Sequence, residues 1–189
     1  MIHWSIDVLV RAGCAPIVVA VPPNLLDHAR GLLPPGIATV VAGGPSRQET
    51  VAAALGHLDA RRVLVHDASR PLISVDLVRR VMDALADADG VVPALPMEET
   101  LKTVTNERII GTVMRTGLWR SQTPQGFDTE VLKRAHEKAI EGGFDVTDDA
   151  QLIERYGGKV HIVRGDRRNI KVTYPEDFEL AEALLELHG

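Results

Sequence analysis

The chain has 189 residues, 45% hydrophobic and 25% charged, a balance that can bury a core and excludes a disordered or collagen-like chain. Its formal net charge is -5 with no basic run, which argues against nucleic acid as a partner. A single cysteine, Cys14, leaves no internal disulfide, and no apolar stretch reaches the length of a membrane span, so a reducing, cytoplasmic setting is expected.

The opening MIHWSIDVLV carries Asp7, lacks a basic leading region and has no small-residue cleavage site. It predicts the start of an amphipathic helix, not a signal peptide. Residues 16–21 (PIVVAV) form a continuous apolar run suited to a strand covered on both faces. A helix is expected over 25–33, stopped by Pro34-Pro35-Gly36, and a strand over 37–42, broken by Gly43-Gly44. Ser46 and Glu49 have capping-box spacing for a helix running to about residue 58. A strand over 62–66, a helix over 75–87 and a strand over 90–95 follow. Segments 101–104 and 109–114 flank Thr105-Asn106-Glu107-Arg108 and predict a hairpin. Trp119 and Phe127 are expected in the core, with Phe127 opening a helix that ends near Gly142-Gly143. Thr147 is placed as the cap of a helix ending at Tyr156. Short strands are expected over 159–163 and 170–172, and a last helix from Pro175 to near His188. This alternation predicts an α/β domain: a mostly parallel twisted sheet with helices on both faces.

Open α/β sheets place ligands beyond the carboxyl ends of their strands, so the residues there are the functional candidates. Gly43-Gly44 permit close backbone approach before a helix N-terminus suited to an anion, although a tight turn explains them equally well. Asp67 follows a buried strand and can hold a ribose hydroxyl or a metal, with Arg70 as a phosphate fork; His66 alone reads as a structural histidine. Gln122, Thr123 and Gln125 put three polar groups around Pro124. Thr147-Asp148-Asp149 sits at a helix start, where the acids complement the helix dipole and make only a weak metal site. Lys171 shares a face with Asn169 and is available to neutralise phosphate.

In this order the segments AGGPSRQETV, VLVHDASRPLI, EETLKTV, QTPQGF, VTDDAQLIERYGG and NIKVTYPEDFELAEALL resemble the 2-C-methyl-D-erythritol 4-phosphate cytidylyltransferase family. The related ribitol 5-phosphate cytidylyltransferases share several of them; the TDDA segment leans to the erythritol enzyme. The resemblance implies a Rossmann-like nucleotidyltransferase and a homodimer clasped by an arm over about 97–114. It also implies cytidylyl transfer from CTP to the sugar phosphate, releasing pyrophosphate, with magnesium held mainly by the CTP phosphates. By the same resemblance, Gly44 and Thr50 lie at the cytosine and neighbouring phosphate region, and Asp67 and Ala68 at the ribose, with Asp67 bordering the erythritol hydroxyls. Arg70, Thr123 and Thr147 line the sugar-phosphate side, and Lys171 positions the attacking phosphate. Thr100 and Arg115, on the arm, reach the sugar phosphate of the other subunit.

Three departures stand out. Pro45 replaces an expected polar residue, and Glu99 an expected aspartate. The family's opening strand and Gly-rich loop, with an arginine and a lysine for the triphosphate, have no counterpart: residues 2–13 match the helix that comes after them. The expectation is therefore a single nucleotidyltransferase domain over 1–189 without that first strand and loop. A binding homologue without turnover and a ribitol 5-phosphate transferase stay as alternatives.

Overall fold

α1 (Ile2–Arg11) opens the computed structural model, which describes residues 1–186. It buries Ser5 and Ile6 and packs on α4 (Val75–Ala84), while Asp7 and Arg11 pair one turn apart on its solvent face. β1 (Val18–Val21) pairs in parallel with β2 (Thr39–Ala42) through a short 3-10 turn, Pro23–Leu25, and α2 (Leu26–Leu32). α3 (Arg47–Leu55) starts at the expected capping box: Glu49 N–H donates to Ser46 Oγ at 3.1 Å and Ser46 N–H to Glu49 Oε2 at 2.9 Å. β3 (Arg62–Val65) then leads to α4, whose Leu77, Val78 and Val81 are fully buried.

β4 (Gly90–Pro96) is the centre of a five-stranded sheet. The hairpin β5 (Leu101–Thr105) and β6 (Arg108–Val113) turns on Asn106 and Glu107, both at positive φ, the geometry that matches strand twist. The chain returns through β7 (Trp119–Ser121) and β8 (Gln125–Asp128). Phe127 lies in β8, not at a helix start, and α5 (Thr129–Gly142) begins only after Asp128, whose Oδ1 accepts from the N–H groups of Glu130 and Val131. Phe127 is fully buried, but Trp119 on β7 is exposed. Gly126 is dictated by packing: an added Cβ would come within 2.9 Å of Val81 Cγ1 on α4.

α6 (Asp149–Arg155) is capped by Asp148, not Thr147: Asp148 Oδ1 accepts from Gln151 N–H at 3.1 Å, and Thr147 stands one residue earlier. β9 (Val160–Arg164) runs parallel to β4. Residues 170–172 form an irregular stretch instead of a strand, tied by Val172 N–H to the Ser69 carbonyl at 2.8 Å. α7 (Pro175–Glu186) follows, and its expected end near His188 lies outside the described residues.

The α/β class stands, but the sheet is mixed. Among the described residues β8 is antiparallel to β3 and β4, β7 is antiparallel to β4, and only β9 joins β4 in parallel. The two antiparallel return strands, absent from the sequence reading, account for the difference. β1 and β2 form a separate parallel pair. Between β1 and β3 lies a cavity of about 510 Å³, floored by Ser5, Ile6 and Leu9 of α1 and ending at Arg47 and Asp67. The Ser5 hydroxyl is buried there without a partner. No helix among the described residues is long and apolar enough to cross a membrane.

Candidate functional site

β3 ends at Val65, and the next turn delivers Asp67 and Arg70 to the end of the sheet. Its shape is set by Thr123. Asp67 N–H donates to Thr123 Oγ1 at 3.0 Å, and Thr123 Oγ1 lies 3.0 Å from His66 Nδ1. His66 Nε2 is 3.1 Å from the Arg70 carbonyl, which can only accept. The proton therefore sits on Nε2, and Nδ1 accepts from the Thr123 hydroxyl. Burial is the main reason the His66 pKa falls to about 4, outweighing the favourable Arg70 carbonyl and Asp67.

The Asp67 carboxylate is gripped on both oxygens, by Arg47 Nε on Oδ1 at 3.3 Å and by Lys171 Nζ on Oδ2 at 3.4 Å. Burial works against its ionisation, but Arg47 and then Lys171 outweigh burial and hold its pKa below the usual value. Arg47 in turn donates to Asp149 Oδ2 at 2.7 Å. Burial opposes the Arg47 charge; Asp149 and Asp67 together overcome it and raise its pKa.

Arg70 uses its charge differently. Its guanidinium donates to the Asn169 carbonyl at 2.9 Å and, at 3.4 Å, to the Ser121 carbonyl. Burial lowers its pKa, Asp67 opposes this and Arg120 adds to it. No carboxylate hydrogen-bonds to Arg70 among the described residues, so its positive charge is available to an anion.

The loop bearing Lys171 is fastened from beneath. Buried Gln122 accepts from Asp166 N–H at 3.0 Å and donates to the Asp166 and Asn169 carbonyls at 2.8 and 3.1 Å. Fully buried Asn169 donates to the Thr123 carbonyl at 2.7 Å. One polar turn thus fixes both the Asp67 loop and the Lys171 loop. Gln125 Nε2 donates to Asp148 Oδ2 at 3.0 Å, bringing Thr147 to the same side.

Of the sequence candidates, Asp67, Arg70, Thr123 and Lys171 converge, exposed Ala68 adjoins them, and Thr147 stands exposed next to capping Asp148. Gly44 and Thr50 play a local part: a Cβ on Gly44 would lie 2.4 Å from Glu49 Cβ, and the Thr50 hydroxyl donates to the Gly44 and Ser46 carbonyls at 3.2 and 2.8 Å. Thr100 and Arg115 are exposed at the base of the hairpin, where Arg115 donates to the Glu98 carbonyl, and among the described residues neither hydrogen-bonds to the cluster. Arg47 and His136 are site neighbours that the sequence does not single out, and Asp149 stands out there only as a helix-dipole complement or weak metal ligand, not as a partner of Arg47. Arg47 was visible there only as the first residue of a helix, and nothing in one sequence joins it to Asp149.

The family model described as IspD: 2-C-methyl-D-erythritol 4-phosphate cytidylyltransferase matches residues 1–187. The chain belongs to this family. It is 45% identical to the cytidylyltransferase of that name from Geotalea uraniireducens over 151 residues, 78% of this chain and 65% of that protein. It is 44% identical to a bifunctional enzyme IspD/IspF from Solidesulfovibrio magneticus over 178 residues, 88% of this chain and 44% of that protein. The crystal structure of the family enzyme from Thermus thermophilus superposes with a TM-score of 0.87 at 38% identity, covering 97% of this chain and 88% of that one. The chain thus spans less than two thirds of the curated relatives first matched, at 65%, 64% and 66% of their lengths. The Rossmann-like nucleotidyltransferase architecture expected from the motifs accords with these neighbours.

Proposed function

We propose that this chain serves cytidylyl transfer from CTP to 2-C-methyl-D-erythritol 4-phosphate. The observation that carries the reading is the cluster at the end of β3: one carboxylate, Asp67, amid the cations of Arg47, Arg70 and Lys171. An oxygen of the sugar phosphate attacks the α-phosphorus of CTP, the bond from that phosphorus to the bridging oxygen breaks, and pyrophosphate leaves. Such chemistry needs positioning and charge neutralisation more than covalent help. Lys171 and Arg70 supply positive charge for the attacking phosphate, and Asp67 accepts from ribose or erythritol hydroxyls. Ala68, Thr123 and Thr147 line the pocket, and Gly44 and Thr50 shape the turn beside the base.

Magnesium enters with the nucleotide. Among the described residues no three His, Cys, Asp or Glu side chains group as a ligand set, and both Asp67 oxygens are engaged by cations. The chain's residues therefore do not fit a resident metal. The single free thiol, Cys14, fits a cytoplasmic setting.

The cavity between β1 and β3 supports the expectation of a further strand with its Gly-rich loop. Both flanking strands offer it an unpaired edge, and the cavity ends at Asp67, where such a loop would meet the triphosphate. The test is direct: CTP, methylerythritol phosphate and magnesium are incubated with this chain and with a form extended upstream by that strand and loop. Pyrophosphate and the cytidine diphosphate product are expected from the extended form. Silence from both forms overturns the assignment, and preference for ribitol 5-phosphate changes the substrate.

The hairpin arm supports a homodimer in which Thr100 and Arg115 serve the partner's site. Val104, Ile109 and Ile110 are 55%, 60% and 65% exposed on a two-stranded element that is marginal by itself, and Met114, directly after it, is 80% exposed. Ile110→Asp is expected to convert the dimer to a monomer in sedimentation velocity at micromolar concentration. A monomeric parent chain refutes the clasp.

A further inference from the structure

We infer that Asp149 and His136 are positioning residues for the substrate hydroxyls, acting on Asp67 through Arg47. The inference rests on the transferase reading above. Five side chains from separate parts of the chain form an alternating row. His136 Nε2 lies 3.2 Å from Asp149 Oδ1, and Arg47 NH1 lies 2.7 Å from Asp149 Oδ2. Arg47 Nε is 3.3 Å from Asp67 Oδ1, and Lys171 Nζ is 3.4 Å from Asp67 Oδ2. Side-chain exposure is lowest at one end, 4% for His136 and 0% for Asp149, and highest at the other, 50% for Lys171, with Arg47 at 34% and Asp67 at 19% between them. The row is anchored in the core at one end and open to solvent at the other.

Helix capping does not account for Asp149. Asp148 already accepts the Gln151 N–H at the start of α6. The hydrogen bonds of the Asp149 carboxylate run instead to Arg47 and His136. A fully buried carboxylate persists only when paired and hydrogen-bonded, and here the pairing engages a residue of the site.

The geometry of Arg47 gives the pairing its consequence. A guanidinium is a planar fork that favours bidentate contact with one carboxylate. On Asp67 that contact would engage both oxygens and leave fewer lone pairs for a hydroxyl. Here NH1 goes to Asp149 Oδ2 and Nε to Asp67 Oδ1, so Arg47 bridges the two acids and hydrogen-bonds to Asp67 at one oxygen. When Lys171 moves to a phosphate, Asp67 Oδ2 is then free to accept a hydroxyl while the carboxylate stays fixed. His136, donating from Nε2, keeps Asp149 turned toward Arg47.

The experiment is steady-state kinetics of the dimeric, strand-bearing enzyme with Asp149→Asn, Asp67→Asn and the double variant, plus His136→Gln and His136→Leu. Asp149→Asn is expected to raise the KM for methylerythritol phosphate roughly tenfold, with a smaller fall in kcat, and its effect is expected to vanish in an Asp67→Asn background. His136→Gln, which retains an N–H for Asp149, is expected to keep a KM near that of the parent; His136→Leu is expected to raise it. Thermal melts accompany each variant, and if Asp149→Asn does not fold, the same cycle is run with His136→Leu against Asp67→Asn. Additive effects, or a KM that follows melting temperature across the His136 pair, overturn the inference while the parent's turnover upholds the transferase reading. An inactive parent refutes that reading and the inference with it.

Discussion

Lys171→Ala is expected to lower kcat/KM for the sugar phosphate by on the order of 10²–10³-fold, the effect of deleting one preorganised charge beside a transferring phosphoryl group. The same change is expected to leave the melting temperature nearly unchanged. Lys171 Nζ is 3.4 Å from Asp67 Oδ2, but half its side chain is exposed, and an ion pair so open contributes little to stability. Its loop is held by other means, through Gln122 and Asn169 and their backbone partners. Activity and stability should therefore separate cleanly. Lys171→Arg keeps the charge on a wider, planar group and should recover part of the rate. Kinetics within about twofold of the parent, against the loss expected for a preorganised charge, would remove Lys171 from the phosphate. A large fall in melting temperature would instead make it a structural partner of Asp67.

The residues most legible in the sequence are those that follow a strong strand signal. VLV ends where β3 ends, so the local pattern alone puts Asp67 and Arg70 at the mouth of the sheet. The capping box at Ser46 was equally plain, because both of its partners lie within one helical turn. β7 and β8 were not legible. They are three and four residues long, in a segment broken by Pro124 and Gly126, and their pairing partners β3 and β4 lie far upstream. Their loss from the reading also hid the mixed character of the sheet. Thr147 and Asp148 are adjacent residues that both favour the cap position, and Asp148, which takes it, is also met by Gln125 and Ser121 from another part of the chain. The Arg47–Asp149 pair spans 102 residues of sequence. Local pattern carries no information on such a pair, so in the sequence the buried acid looks only like a helix-dipole complement or a weak metal ligand.

His66 supplies the other large effect, a loss of stability in weak acid. Its pKa is 6.5 in the unfolded chain and about 4 in the folded one. Between these values the unfolded chain binds the proton and the folded chain does not, so folding becomes less favourable as pH falls from 6.5 to about 4. The shift corresponds to at most about 3 kcal/mol, a sizeable part of the stability of an ordinary domain. Above pH 6.5 both states are neutral at this residue and the effect is absent. Asp67 acts in a lower window: its folded pKa lies below 3.8, so the stability it contributes is lost as pH falls through that lower folded value. The two groups can thus be told apart by pH. His66→Gln, which cannot take up the proton, is expected to flatten the unfolding free energy between pH 6.5 and 4 and to leave the steeper decline below it. The consequence reaches the site, because a protonated Nδ1 can no longer accept from Thr123, the hydroxyl that receives the Asp67 N–H. Activity of the parent should therefore fall over the lower part of the same interval, before the fold is lost. Denaturant titrations across that range that give the same slope for parent and His66→Gln would show that the imidazole is free to charge in the folded chain.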